Sequence, residues 1–258
     1  MDEPIERGAG DAEASDIENL RDSLDGLAGL LTEGLRLEDV LHRVAVFAVG
    51  AIPGADGAGV TLLRPDRNDN RVEALAASDP FVAEIDQIQY VDVNEGPCIT
   101  AALERRTVRS GSLGAEPLWP RFGPRVGRLG VHSVLSLPLL LPAQVVGAIN
   151  VYARAKSAFD DRAAELGETY ARPAAVAVHN AHVLSRALTL TEQLQAALVS
   201  RPIIDQAIGL VRARSGATTE EAMDRLRAIS HREQRKLSEV AQNLIDLAVR
   251  RANSREGR

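Results

Sequence analysis

Between Ala58 and Ala153 the apolar residues change their spacing, and this constrains the fold more than any other feature of the chain. On either side they recur every three or four positions, as on helices. Inside, they fill short runs bounded by turn residues, as in strands. Residues 133–141 and 144–152 are the clearest strands, divided by the turn at Pro142–Ala143. Residues 59–63 and 72–76 form a second pair across the Asp/Asn-rich turn 64–70. Between the pairs the pattern predicts a helix over 80–87, the segment 91–98, a helix over 101–105 and a short strand from Val108. Loop and helix follow over 117–129, with the single tryptophan, Trp119. Helices, hairpin, helices, hairpin, without regular βαβ alternation, predict an α+β domain on an antiparallel sheet.

The flanks read as helices. After a leader expected to be disordered over 1–15, Ile17, Leu20, Leu24, Leu27 and Leu31 take the a and d positions of a heptad. Two readings stand: a helix that pairs with its twin, or an amphipathic helix lying on its own domain. A second helix spans 37–52 and ends at Pro53–Gly54. Asp160 caps a long helix expected to reach about Ser200, with a break at Pro173 as one option. Within it Val183, Ala187, Leu190, Leu194 and Ala197 again step by four and three. This segment suits a signalling helix that pairs with its twin, or one that packs on its own domain and transmits nothing.

From Arg201–Pro202 three short amphipathic helices are expected. Ile204, Ala207, Ile208 and Val211 line the first, which breaks at Ser215–Gly216. Thr218 and Glu221 fit a capping box for the second. Val240, Ala241, Leu244, Ile245 and Ala248 stripe the third, from about Leu237. The 258 residues suit two domains better than one. The expected division is a leader over 1–15, a sensory domain over 16–182, a signalling helix over 183–200, a helical bundle over 201–250 and a flexible tail over 251–258.

Composition excludes several classes. No apolar run reaches the ~18–20 residues that cross a bilayer. The acidic, Gly/Ala-rich start lacks the pattern of a signal peptide. The single cysteine, Cys98, can form neither an internal disulfide nor a zinc cluster, so a reducing cytoplasm is the expected compartment. Net charge is −6, yet residues 201–258 hold twelve Arg or Lys against eight Asp or Glu, a local net of +4. A basic excess confined to one small segment suits a polyanionic partner.

Asp205-Gln206-Ala207-Ile208-Gly209, Glu221-Ala222-Met223, Leu226-Arg227 and Arg235-Lys236-Leu237 through Val240-Ala241 together resemble the ANTAR domain, over about 190–250. Ile208 stands where many members have Lys, Met223 where an aromatic is frequent, and Gln234 where Asn is common. Upstream, Asn94-Glu95-Gly96-Pro97-Cys98, Trp119-Pro120 with Phe122, Ser136-Leu137-Pro138-Leu139 and Val146-Gly147-Ala148-Ile149-Asn150-Val151-Tyr152 resemble a GAF domain, over about 20–182. The two resemblances imply an antiparallel-sheet GAF-like domain with flanking helices. A long coiled-coil-like helix and an all-α three-helix ANTAR-like bundle would follow. They also imply a signal-responsive regulator of transcription antitermination that binds paired RNA stem-loops.

The resemblance places an RNA surface on the first bundle helix and the start of the third: Gln206, Ile208, Arg212, Arg214, Arg232, Arg235 and Lys236. The alternative for each arginine is a solvated helix face. No aromatic stands in this segment, so stacking of bases on rings cannot carry recognition. In the GAF-like part Glu95, Gly96, Pro97 and Cys98 are the expected wall of a cavity for an unidentified small ligand. Cys98 near a helix start invites a redox reading, against the plainer one of a buried cysteine. His179 and His182, three apart, lack a third metal ligand, and no metal or cofactor is expected. Ser230-His231-Arg232-Glu233 superficially matches a histidine-kinase phosphoacceptor box, but no Gly-rich ATP site accompanies it, and no enzyme is expected. Expected partners are structured RNA, a second copy bound through the N-terminal and signalling helices, and an upstream signalling protein, but no membrane. A rival reading makes the chain a dimeric sensory scaffold whose bundle docks a protein. DNA binding ranks last, for want of a base-reading helix.

Overall fold

The computed structural model describes residues 4–30, 35–63 and 72–256. The chain divides into two compact units, Met1–Ser185 and Arg186–Arg258.

In the first unit α1 (Pro4–Leu30) and α2 (Leu37–Ala51) precede strands β1 (Gly57–Leu63) and β2 (Val72–Ala77). Helix α3 (Pro80–Gln87) runs into a π-helical turn, Ile88–Val93, and then α4 (Pro97–Glu104). Strand β3 (Val108–Ser110) and α5 (Gly123–Arg128) lead to β4 (Ser133–Leu141) and β5 (Gln144–Ala153). The strands form one antiparallel sheet in the order β2-β1-β5-β4-β3. The α+β antiparallel architecture is therefore the one the changing period predicts.

Both faces of the sheet are covered. On one, Leu135, Leu137 and Leu139 of β4 and Ile149 and Val151 of β5 pack with Leu41 and Val44 of α2, and with Tyr170 and Ala174 of helix α6 (Asp161–Ser215). On the other, Val134 and Tyr152 meet Val82, Ile85, Trp119, Phe122 and Val126. Strands buried on both faces show continuous apolar runs rather than alternation, which is why their ends are readable and their facing is not. At Gly147 of β5, opposite Leu62, a Cβ would collide with the Thr61 carbonyl oxygen, so this strand position takes glycine.

The expected disordered leader is corrected, because α1 is helical from Pro4. Ala9, Ala12, Glu13 and Ala14 are strong helix formers that carry the helix toward its N-terminus. Its heptad residues Leu20 and Leu27 are buried with Leu30 against the unit's own core, while Ile17 stays exposed. The reading of α1 as an amphipathic helix on its own domain is the one realised; Leu31 and the turn 64–70 lie outside the described residues.

Helix α6 begins as the sequence predicts, with Asp160 Oδ1 accepting from the Ala163 amide at 2.8 Å. It then corrects two expectations, running unbroken through Pro173 and Pro202 to Ser215. Proline removes an intrahelical hydrogen bond, at a cost of about 3 kcal/mol in a helix interior. Around Pro173 the burial of Tyr170, Ala174, Ala175 and Val178 offsets that cost. At Pro202 burial lies on the C-terminal side, at Ala207 and Ile208; the preceding turns are exposed and supply no such compensation.

The second unit closes with α7 (Thr219–Glu233) and α8 (Leu237–Glu256), so the expected tail is helical to Glu256. Arg250 and Arg251 simply prolong the polar face of α8. The capping box is present: the Glu221 amide donates to Thr218 Oγ1 at 3.2 Å, and the Thr218 amide to Glu221 Oε2 at 2.9 Å. Ala207, Ile208, Ala222, Leu226, Val240 and Ala241 make the core. The link from α7 to α8 passes through Gln234 at φ +51°, ψ +39°. That left-handed conformation suits Asn or Gly better than Gln.

Candidate functional site

The sheet face toward α3 and α4 is unusual in what it buries. Antiparallel register sets Asn150 of β5 between Gly59 of β1 and Ser136 of β4. Thr61, two residues along β1, and Tyr152, two along β5, share this face, because side chains alternate along a strand. Opposite them stand Asp86 of α3, Gln89 and Tyr90 of the π-helical turn, and Cys98 of α4. Thr61, Gln89, Ser136, Asn150 and Tyr152 are wholly buried, and Asp86 nearly so.

Part of this cluster is satisfied internally. Thr61 Oγ1 and Tyr90 Oη lie 2.7 Å apart, and Ser136 Oγ donates to Asn150 Oδ1 at 2.6 Å. Gln89 Oε1 accepts from the Cys98 amide at 3.3 Å. Asp86 Oδ1, Gln89 Nε2, Asn150 Nδ2 and Tyr152 Oη are buried without a partner. Buried polar atoms are nearly always paired, so four orphans in one cluster mark a place built to meet a polar guest or water. Burial pushes the Asp86 carboxyl up to about 7. Burial likewise raises the Tyr90 and Tyr152 phenols well above their usual value, with Asp86 and Cys98 adding repulsion.

The four residues expected to wall a ligand cavity divide. Cys98 joins the cluster as a buried residue, its backbone amide donating to Gln89 Oε1. Burial pushes its thiol up, so the reactive-thiolate reading fails and the buried cysteine stands. Gly96 gives room to its neighbour, because a Cβ there would strike Gln89 Oε1. Pro97 opens α4 at its first turn. Glu95 is an anchor: it accepts from the Arg121 amide at 2.8 Å and the Phe122 amide at 3.0 Å, and pairs with the Arg121 guanidinium at 3.3 Å. Burial acts to raise this carboxyl, but those hydrogen bonds outweigh it and hold it below its usual value. Sequence reasoning missed Thr61, Asp86 and Gln89. The polar residues two apart at Asn150 and Tyr152 were the available signal.

The basic residues of the second unit also divide. Arg212, Arg214 and Lys236 are exposed, and none has an ion-pair partner among the described residues. Arg232 lies 3.7 Å from Glu233, while Arg235 lies 3.5 Å from both Glu233 and Glu239. Arg212 and Arg214 precede α7, whereas Arg232 sits in its last turn and Arg235 and Lys236 in the link to α8. About 22 Å of helix separates the two groups. Gln206 is exposed on α6. Ile208 is corrected: with 6% exposure it belongs to the core and offers no surface contact. An isoleucine serves that position because the first helix turns it toward Leu226.

His182 Nε2 lies 3.0 Å from Glu73 Oε1, and His179 Nδ1 3.3 Å from Gln144 Nε2. No helix among the described residues is long and apolar enough to cross a membrane.

Comparison with known proteins agrees with this layout. The GAF domain family model matches residues 34–179, and the ANTAR domain model matches residues 192–245. No curated protein matches the chain. Among solved structures, the GAF domain of a phosphoenolpyruvate-protein phosphotransferase from Coxiella burnetii is 16% identical, with a TM-score of 0.51, over 66% of this chain and 98% of that one. The GAF domain of the Acinetobacter phosphoenolpyruvate-protein phosphotransferase is 17% identical, with a TM-score of 0.48, over 65% of this chain and 97% of that one. At 16% identity the Coxiella likeness speaks for the fold alone. Both matched families are regulatory and non-catalytic. The chain belongs to the GAF family and carries an ANTAR domain behind it, the architecture of GAF–ANTAR antitermination regulators.

Proposed function

We propose that this regulator works as a dimer, with its input at the buried polar cluster of the GAF domain and its output at two basic ends of the ANTAR bundle. A small polar guest would bind the orphaned Asp86, Gln89, Asn150 and Tyr152 atoms. Helix α6 belongs to the core that holds the sheet and would carry the change. Its residues Leu190 and Leu194, 56% and 57% exposed, are the seam through which two copies would pair.

The observation that carries the RNA reading is the set of exposed, unpaired cations at Arg212, Arg214 and Lys236. Cations free of internal carboxylates can neutralise phosphates without first losing a partner. Arg232 and Arg235 would contribute less, since each would have to leave Glu233 or Glu239. Two such bundles in one dimer would engage paired loops with an avidity that neither has alone.

The test is binding of the full chain to paired stem-loop RNAs, against scrambled RNA, at two salt concentrations. Selective binding that weakens steeply with salt supports the reading, as does a salt slope reduced by about one in Lys236→Ala. Equal, salt-insensitive binding of both RNAs would leave the bundle as a protein-docking module.

A further inference from the structure

A cleft lies on the GAF unit, away from the buried cluster. Strand β3 pairs with β4 only at Val134, Leu135 and Ser136, so the remainder of β4 runs past the end of β3 with an unpaired edge. The α4–β3 loop, this edge and the first part of α6 enclose a cleft of about 680 Å³, within the range of small-molecule sites. Its accessible apolar wall is Leu140, Leu141 and Pro142, over the buried Leu137 and Pro138. Its rim is cationic, with Arg105, Arg106 and Arg172.

The charges around the cleft are unevenly used. Glu168 accepts from Thr107 Oγ1 at 2.6 Å and is thereby turned to the loop. Arg106 pairs with Glu104. Arg105 and Arg172 are exposed and have no ion-pair partner among the described residues. Arg105 also occupies the left-handed region, at φ +55°, ψ +35°, as the C-cap of α4. Glycine or asparagine would hold that conformation with less strain than this arginine does.

We propose that this cleft binds a small organic oxyanion with an apolar body: the anion between Arg105 and Arg172, the body on Leu140 and Pro142. Guanidinium groups hold phosphate or carboxylate through paired N–H donors, and the apolar wall favours an ester or substituted acid over a bare inorganic ion. Because Arg172 and Glu168 belong to α6, an occupied cleft touches that helix directly. The proposal stands whether or not the bundle binds RNA.

The experiment is calorimetric titration of the full chain with phenyl phosphate, benzoate and inorganic phosphate. Saturable binding of phenyl phosphate or benzoate is expected, at least about tenfold tighter than inorganic phosphate; the tighter of the two identifies the oxyanion. Arg105→Ala and Arg172→Ala should each weaken it by about tenfold or more, while Arg186→Ala, an exposed arginine outside the cleft, should not. Native Trp119 fluorescence in each variant shows that the unit remains folded. No saturable heat with either organic anion below about 5 mM would overturn the proposal. So would binding that both cleft variants leave unchanged.

Discussion

Tyr170 Oη donates to the Val44 carbonyl oxygen at 2.8 Å, tying α6 to α2 across 126 positions of sequence inside the core. Both partners are fully buried. Burial drives the phenol far above its usual value, so it remains a neutral donor. Tyr170→Phe keeps the ring and removes the donor, and the expected loss is about 1 kcal/mol. Denaturant unfolding followed by Trp119 fluorescence reads this loss in the GAF unit specifically, since Trp119 is the single tryptophan and lies there. An unchanged midpoint would mean that the hydrogen bond contributes nothing beyond packing.

Asp86 makes GAF stability depend on pH in a direction opposite to most carboxylates. Its folded-state value, about 7, lies above the unfolded value of 3.8. Between these the folded chain binds the extra proton, so stability falls as pH rises from about 4 to about 7 and levels off above. A shift of this size corresponds to roughly 4 kcal/mol over the whole window. The neighbours Tyr90, Cys98 and Tyr152 stay neutral there, so the slope belongs to Asp86. Asp86→Asn should flatten it and leave the variant more stable than the parent at pH 8. Parallel unfolding curves at pH 5 and pH 8 decide the matter, and equal slopes in both proteins would refute the assignment.

What the sequence disclosed follows from which signals are local. The bounds of α3, the Asp160 cap and the Thr218–Glu221 capping box depend on a few adjacent residues, and all stand as read. The polar cluster was not legible as a whole, because Asp86 and Gln89 look like a solvated helix face until the sheet packs on them. Ile208 was misplaced on the surface, and the α1 heptad left two readings open, for a related reason. An apolar stripe announces burial but does not name the surface that buries it. Helix α6 ignored two prolines, since a local breaker can yield to distant packing at Pro173.

Gln234 offers a test confined to the ANTAR bundle. Its left-handed backbone strains a residue with a Cβ, and Gln234→Gly removes the strain while leaving the caps intact. A gain of about 0.5–1 kcal/mol is expected, less the entropy that glycine adds to the unfolded chain. Hydrogen exchange of the α7 and α8 amides should slow by a few-fold, with the GAF amides unaffected. Faster exchange in those helices would show that the Gln234 side chain contributes more than its backbone costs.

The seam on α6 is the most consequential prediction. Val183, Leu190 and Leu194 are each more than half exposed in the single chain, at heptad spacing, whereas the corresponding face of α1 is spent on its own unit. Dimerisation should therefore depend on α6 and tolerate change at Ile17. Replacing Leu190 and Leu194 together by Glu puts like charges opposite one another across a paired seam, and sedimentation should then report a monomer. Ile17→Glu should leave the dimer intact. If two linked bundles share one RNA, the monomer should also lose affinity for paired loops by about a hundredfold or more, while single-loop binding changes little. A Leu190→Glu, Leu194→Glu protein that remains a dimer would place the seam elsewhere. A monomer with undiminished paired-loop affinity would separate dimerisation from RNA recognition.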